Sequence, residues 1–81
     1  PNIRKISENT YIIDKPIDLG LIEELTGIHL GEPNVNLNEF LMEKNFTDIQ
    51  EGDEIVFENL KITILSKDGD YISKIKLEVV K

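Results

Sequence analysis

The sequence predicts an α+β fold: a small antiparallel or mixed sheet with about two helices on one face. Three observations lead there. The last third, "DEIVFENLKITILSKDGDYISKIKLEVV", alternates apolar and polar residues with the period of two expected of half-buried strands. Two stretches ahead of it, "IDLGLIEELTG" and "NLNEFLMEKN", change to the three-and-four spacing of amphipathic helices. At the start, "IRKIS" and "TYIID" are short apolar runs around a polar pair, the pattern of a hairpin.

Each element has a local reason. Glu8-Asn9 supplies the first turn, with Tyr11 and Ile13 on one strand face and Ile12 on the other. Asp18 follows Pro16 and is placed as an N-cap. Leu21, Ile22 and Leu25 form the apolar stripe of the first helix, Glu23 and Glu24 face water, and Gly27 supplies the left-handed stop. Gly20 weakens that helix but allows close packing of its first turn. "IHLGEPNV" is a connector marked by Gly31 and Pro33. Asn36 with Glu39 resembles a capping box for the second helix. Leu37, Phe40 and Leu41 are its buried stripe, and Phe46 closes its end.

After the polar loop "TDIQEGDE" comes the meander. Its turns are expected at Glu58-Asn59 and Asp68-Gly69, with Asn59 and Gly52 in turn conformations that tolerate positive φ. The predicted core is Tyr11, Ile13, Leu21, Leu25, Leu37, Phe40, Leu41, Ile55, Phe57, Ile62, Ile64, Ile75, Leu77 and Val79. Parity then turns Val56, Leu65, Ile72 and Val80 outward, as a candidate interaction surface. The terminal strand "ISKIKLEVVK" is expected at a sheet edge, with Lys74, Lys76 and Lys81 guarding it against indiscriminate pairing.

Composition bounds the function. A chain of 81 residues predicts one domain, residues 1–81. Such domains bury only about 60% of their unfolded surface. One modest core is affordable, with little left over for an enclosed pocket of roughly 300 Å³ or more. There is no cysteine, which removes disulfides and thiolate chemistry and favours a reducing compartment. The single histidine, His29, lies between Ile28 and Leu30 and reads as a surface or partly buried side chain. Sixteen acids against nine bases give a net charge of −7. That balance disfavours nucleic acid, which needs Lys and Arg to displace counterions, and direct adhesion to an anionic leaflet. No apolar run approaches the roughly 18 residues of a spanning helix, and no signal peptide is legible. The chain opens at Pro1 rather than Met, so a piece of a longer protein is expected.

Candidate chemistry is sparse. Asp53, Glu54, Asp68 and Asp70, with Glu51, are the candidate ligands for a divalent cation, since Mg²⁺ and Ca²⁺ take oxygen donors. Their spacing matches no EF-hand loop, and a solvated acidic surface is the competing reading. "KDGDY" pairs two carboxylates with no neighbouring base, nucleophile or oxyanion hole. Neither a GxGxxG nor a Walker loop is present. The residues alone therefore read as a non-enzymatic, acidic binding or regulatory module with no resident cofactor.

The order of these phrases resembles the CorC/HlyC transporter-associated domain over nearly the whole chain, from about Ile6 to Val80. The matching residues are Tyr11-Ile12-Ile13-Asp14, Leu25-Thr26-Gly27-Ile28, Gly52-Asp53, Asn59-Leu60-Lys61-Ile62 and Asp68-Gly69. Lys15, Asn36, Glu39, Ile49 and Asn59 depart from the residues usual in that family, each keeping a usable cap or turn. The resemblance implies the C-terminal domain of a hemolysin-related membrane protein, following a pair of CBS domains and an integral-membrane region. It implies a place at the cytoplasmic face of the cell membrane, modulating Mg/Co-type or Na/H-type ion transport. The implied partners are the CBS pair, the integral-membrane domain and a second copy in a homodimer, with no membrane insertion by this domain itself. The resemblance further implies a fold similar to the FAD-binding, transporter-associated fold, so FAD or an adenine nucleotide is the alternative ligand reading.

Overall fold

The computed structural model describes residues 2–80. Strands β1 (Ile3–Ser7) and β2 (Thr10–Ile13) precede helices α1 (Leu19–Thr26) and α2 (Leu37–Glu43), and β3 (Glu54–Phe57), β4 (Leu60–Asp68) and β5 (Tyr71–Val79) follow. The five strands form one sheet in the order β1-β2-β5-β4-β3, and every pair is antiparallel. The expected α+β class is what is found, with the sheet purely antiparallel.

The strand order corrects one expectation. β5 pairs with β2 on one side and β4 on the other, so the terminal strand is central. The N-terminal hairpin takes the edge that a bare meander would have left open. Lys74 and Lys76 therefore guard no edge; Lys76 sits in register between Ile12 and Thr63. Lys81 and Pro1 lie outside the described residues.

Caps set the helices. Asp18 Oδ1 accepts the Leu21 amide at 2.8 Å, and Asn36 Oδ1 accepts that of Glu39 at 2.8 Å. Gly27, at φ 78°, donates its amide to the Glu23 carbonyl at 2.7 Å and closes α1. The two cap residues bridge each other, and Leu37 N donates to Ile17 O at 2.9 Å, so both helices start side by side. Gly20 permits this. A Cβ there would stand 2.9 Å from Pro33 Cβ, while its amide donates to the Pro33 carbonyl at 3.1 Å.

The core lies between the helices and one face of the sheet. Ile13, Ile55, Ile62, Ile64, Ile75 and Leu77 come from the strands, and Leu37, Phe40 and Leu41 from α2. On α1 the buried pair is Leu19 and Ile22, preceded by Ile17, rather than Leu21 and Leu25. Leu19 and Ile22 are one turn apart and point at the sheet. Leu21 and Leu25 flank them half-buried, and the Leu25 carbonyl accepts the Tyr11 hydroxyl at 3.1 Å. Tyr11, Phe57 and Val79 also pack around the core half-buried rather than inside it. Leu60 joins the core as the first residue of β4.

The β4–β5 hairpin breaks its own parity. Ile64 pairs with Ile75, Ser66 with Lys74 and Lys67 with Ile72. Leu65 is thus an extra residue on β4 and Ser73 an extra residue on β5. Each such bulge switches the face that later residues take. Ile72 consequently turns inward and is only 5% exposed, so its expected outward placement is wrong. In the preceding β3–β4 turn, positive φ falls on a different residue from the one expected. Glu58 takes it, at 54°, and not Asn59; the last turn is Gly69-Asp70, because Asp68 still pairs with Tyr71. Gly52 does adopt positive φ, at 93°.

Candidate functional site

The carboxylates that looked like cation ligands are distributed over separate local tasks. Asp53 Oδ2 accepts the Gln50 amide at 2.9 Å and closes the turn that leads into β3. Glu51 Oε2 accepts the Lys67 amide at 3.1 Å and ties that turn to β4. Glu54, exposed, reaches diagonally across the β3–β4 ladder to the half-buried Lys61 at 3.4 Å. Asp68 and Asp70 flank Gly69 at the exposed hairpin tip. Among the described residues no three Asp, Glu or His side chains are placed to hold a metal ion. The structure does not gather Asp53, Glu54, Asp68 and Asp70 into one ligand set. His29 Nδ1 lies 2.7 Å from Glu23 Oε1, with both side chains largely in water.

The sheet face opposite the helices carries the expected outward residues, apart from Ile72. Val56 is 63% exposed, Leu65 36% and Val80 43%. Cross-strand rows place Thr10, Glu78, Lys61 and Val56 side by side, and Ile12, Lys76, Thr63 and Glu54 in the next row. Such rows offer paired charges with apolar side chains between them. They can make contacts with a partner surface; they contain no nucleophile with an adjacent base.

Two clefts lie on the helix side, and sequence reasoning found neither. The first, of about 330 Å³, lies between α2, the 46–50 loop and the β4–β5 hairpin, and is lined by Asn38, Met42, Phe46, Asp48, Lys67 and Ile72 among others. Asn38 Oδ1 accepts the Ile72 amide at 3.2 Å, Lys67 Nζ donates to the Ile49 carbonyl at 2.7 Å, and Gln50 Nε2 donates to Asp48 Oδ1 at 3.0 Å. The second, of about 340 Å³, runs between the connector and α2, past Leu19, His29, Glu32, Phe40 and Lys44. Near it the Phe40 and Phe57 rings meet edge-to-face at 5.2 Å, and Lys44 Nζ stands 5.7 and 5.6 Å from their centres. The first cleft depends on the double bulge, which no glycine or proline marks in the sequence.

Small-molecule pockets run from roughly 300 to 1,000 Å³. Both clefts lie at the bottom of that range and open to water, so neither encloses a flavin dinucleotide.

Comparison with known proteins bears on the whole chain. The family model of the transporter associated domain, CorC_HlyC, matches residues 4–81. The UPF0053 protein YhdP of Bacillus subtilis is 32% identical over 78 residues, covering 94% of this chain. The chain spans only 17% of the length of that relative. The transporter associated domain CorC_HlyC of Nitrosomonas europaea superposes with a TM-score of 0.82 at 18% identity, covering 99% of this chain and 98% of that one. A region associated with a candidate Mg²⁺ and Co²⁺ transporter (CorC) of Neisseria meningitidis gives a TM-score of 0.79 at 14% identity, covering 99% and 100%. At those identities the structural likeness speaks for the fold: an antiparallel five-stranded sheet carrying two helices.

Proposed function

The chain belongs to the CorC_HlyC family of transporter associated domains, and from that premise we propose that it is a non-catalytic regulatory module of a larger ion-transport protein. The observation that carries this reading is the family match over residues 4–81, nearly the full chain. The family is one of transporter-associated domains and not a known catalytic one. The spending of the acidic side chains on turns, ladders and caps supports the same reading. The partners are a CBS pair and an integral-membrane region of the parent chain, and a second copy, met at the cytoplasmic face of the membrane. No helix among the described residues is long and apolar enough to cross a membrane.

Regulation of this kind needs no chemistry. A module that binds one conformation of the transporter tenfold more tightly shifts the equilibrium by about 1.4 kcal/mol toward it. The outer sheet face, with Val56, Leu65 and Val80 exposed among charged rows, is the surface offered for such contact.

The test compares the full parent chain with a version lacking residues 1–81. Mg²⁺ and Co²⁺ flux and oligomer size are measured for both, these being the ions of the transporter with which the Neisseria region is associated. Deletion is expected to change the regulation of flux, the assembly, or both. Identical flux and identical assembly would remove the proposed role.

A further inference from the structure

The bulges at Leu65 and Ser73 turn Lys67 and Ile72 toward α2, where they wall the cleft of about 330 Å³. Bulges recur where a strand must re-aim a side chain beside a site. The loop on the other wall is held firmly. Phe46 N donates to the Leu41 carbonyl at 2.9 Å, Lys67 Nζ to that of Ile49 at 2.7 Å, and Asp53 caps Gln50. The cleft is therefore built into the fold before anything enters it.

Its lining is apolar below and acidic at the rim. Leu41 and Ile72 are core residues, and Phe46 and Ile49 pack against that core. Met42 lines the cleft while 70% exposed. An unbranched thioether at an open apolar surface adapts to apolar partners of different shape. Asp48 and Asp70 carry the negative charge. Asp70 has neither a hydrogen bond nor an ion pair among the described residues. Lys67 is the one basic residue in the lining, and it gives a donor to the Ile49 carbonyl.

We propose that this cleft seats a basic, apolar-faced peptide segment of a partner protein. An aliphatic or aromatic side chain of the segment packs over Leu41, Phe46 and Ile72 and against Met42. Flanking Lys or Arg side chains meet Asp48 and Asp70. Charge decides against an acidic occupant, which would meet both rim carboxylates and the field of a chain of net charge −7. The inference rests on the reading of the chain as an interaction module and names the chemistry of one partner.

The test titrates an amphipathic leucine–lysine peptide into the isotope-labelled chain and follows its amide resonances. A leucine–glutamate peptide of the same pattern is the control. Saturable shifts are expected at Asn38, Met42, Thr47 and Ile72. Met42→Asp and Asp70→Lys alter exposed side chains, leave the fold intact and should each weaken binding about tenfold or more. Glu24→Lys changes the charge by the same amount as Asp70→Lys on the exposed face of α1 and should leave affinity within about twofold. Shifts confined to the Val56 and Leu65 face, equal binding of the glutamate peptide, or indifference to Met42→Asp would each overturn the proposal. A silent titration, alongside ion flux that changes on deletion of the domain, removes the seat and leaves the regulatory role standing.

Discussion

Asn38 Oδ1 accepts the backbone N–H of Ile72 at 3.2 Å, joining the first turn of α2 to the strand that runs through the middle of the sheet. The bond spans 34 residues of sequence and lies at the pairing where the β4–β5 hairpin recovers from its bulges. A net hydrogen bond of this kind contributes about 1 kcal/mol, and an orphaned donor costs more. Asn38→Ala should therefore lower the unfolding midpoint by roughly 4–8 °C in a thermal melt. Asn38→Asp keeps the acceptor and adds a negative charge where a helix N-terminus favours one, so it should recover most of that loss. Equal melts for wild type and Asn38→Ala would show that the clamp contributes nothing.

Ile72 and Val56 test the faces of the sheet against each other. Ile72 is 5% exposed and Val56 63%. Ile72→Ala should cost about 2–5 kcal/mol in denaturant unfolding, the range for a buried aliphatic truncated to a methyl. Val56→Ala should change stability by less than about 0.5 kcal/mol. A mild Ile72→Ala would return that side chain to the surface.

The same contrast marks what the sequence made legible. Alternation in β3 and in most of β4 and β5 placed Ile55, Ile62, Ile64, Ile75 and Leu77 inward correctly, because one face of each strand is buried and register is then tightly specified. The caps Asp18, Gly27 and Asn36 were readable because orphan helix-end groups demand particular side chains. The bulges were not, since Leu65 and Ser73 carry no local signal and the parity they reverse is set by pairing across the hairpin. The same blindness hid the cleft beside Ile72. Strand order was also beyond reach: hairpin patterns specify neighbours in sequence, whereas the insertion of β2 beside β5 is a long-range choice. Of the carboxylates, the sequence showed their proximity along the chain but not that Asp53, Glu51 and Glu54 each bond a different turn or strand while Asp68 and Asp70 flank the exposed hairpin tip.

Two backbone positions should respond with opposite sign. Glu58 holds φ at 54°, a left-handed conformation that costs an L-residue roughly 1–2 kcal/mol. Glu58→Gly relieves it, loses some entropy to a freer unfolded chain, and should gain up to about 1 kcal/mol. Gly20→Ala should lose about 1–3 kcal/mol, since its Cβ would stand 2.9 Å from Pro33 Cβ and the brace between the helix starts must shift. Urea titrations of both variants check the pair; a destabilised Glu58→Gly would mean that the turn tolerates Glu58 without strain.

Small-ligand titrations should be weak. Mg²⁺ surrenders its waters reluctantly and needs preset octahedral donors, and Asp53 already spends Oδ2 on the Gln50 amide. Calorimetry with Mg²⁺ should find no micromolar site, and Asp53→Asn should leave the isotherm unchanged. With FAD or an adenine nucleotide, clefts of about 330 and 340 Å³ that open to water should give nothing tighter than about 10 μM, worth about 7 kcal/mol. Micromolar Mg²⁺ affinity lost on Asp53→Asn, or FAD or adenine-nucleotide affinity tighter than about 10 μM, would move this domain into a ligand-binding class.

The outer sheet face gives the last prediction, and it concerns assembly. Val56 lies on edge strand β3 beside Lys61, and Leu65 is the extra residue of the β4 bulge, so both project from the face that the helices leave uncovered. Scattered surface apolars are common and carry little by themselves. Here they stand among Lys61, Lys76, Glu54 and Glu78, so a partner surface would bury apolar area while matching charge. Val56→Asp with Leu65→Asp should leave the fold intact, because neither side chain belongs to the core. In the full parent chain the same pair should weaken association with the neighbouring domains or a second subunit, read as a smaller assembly in size-exclusion chromatography with light scattering. Unfolding of the isolated double variant would place those side chains in a core and reverse the assignment of this face. Unchanged assembly with an intact fold would leave the face as ordinary solvated sheet, and the search for the contact would move to the cleft beside Met42.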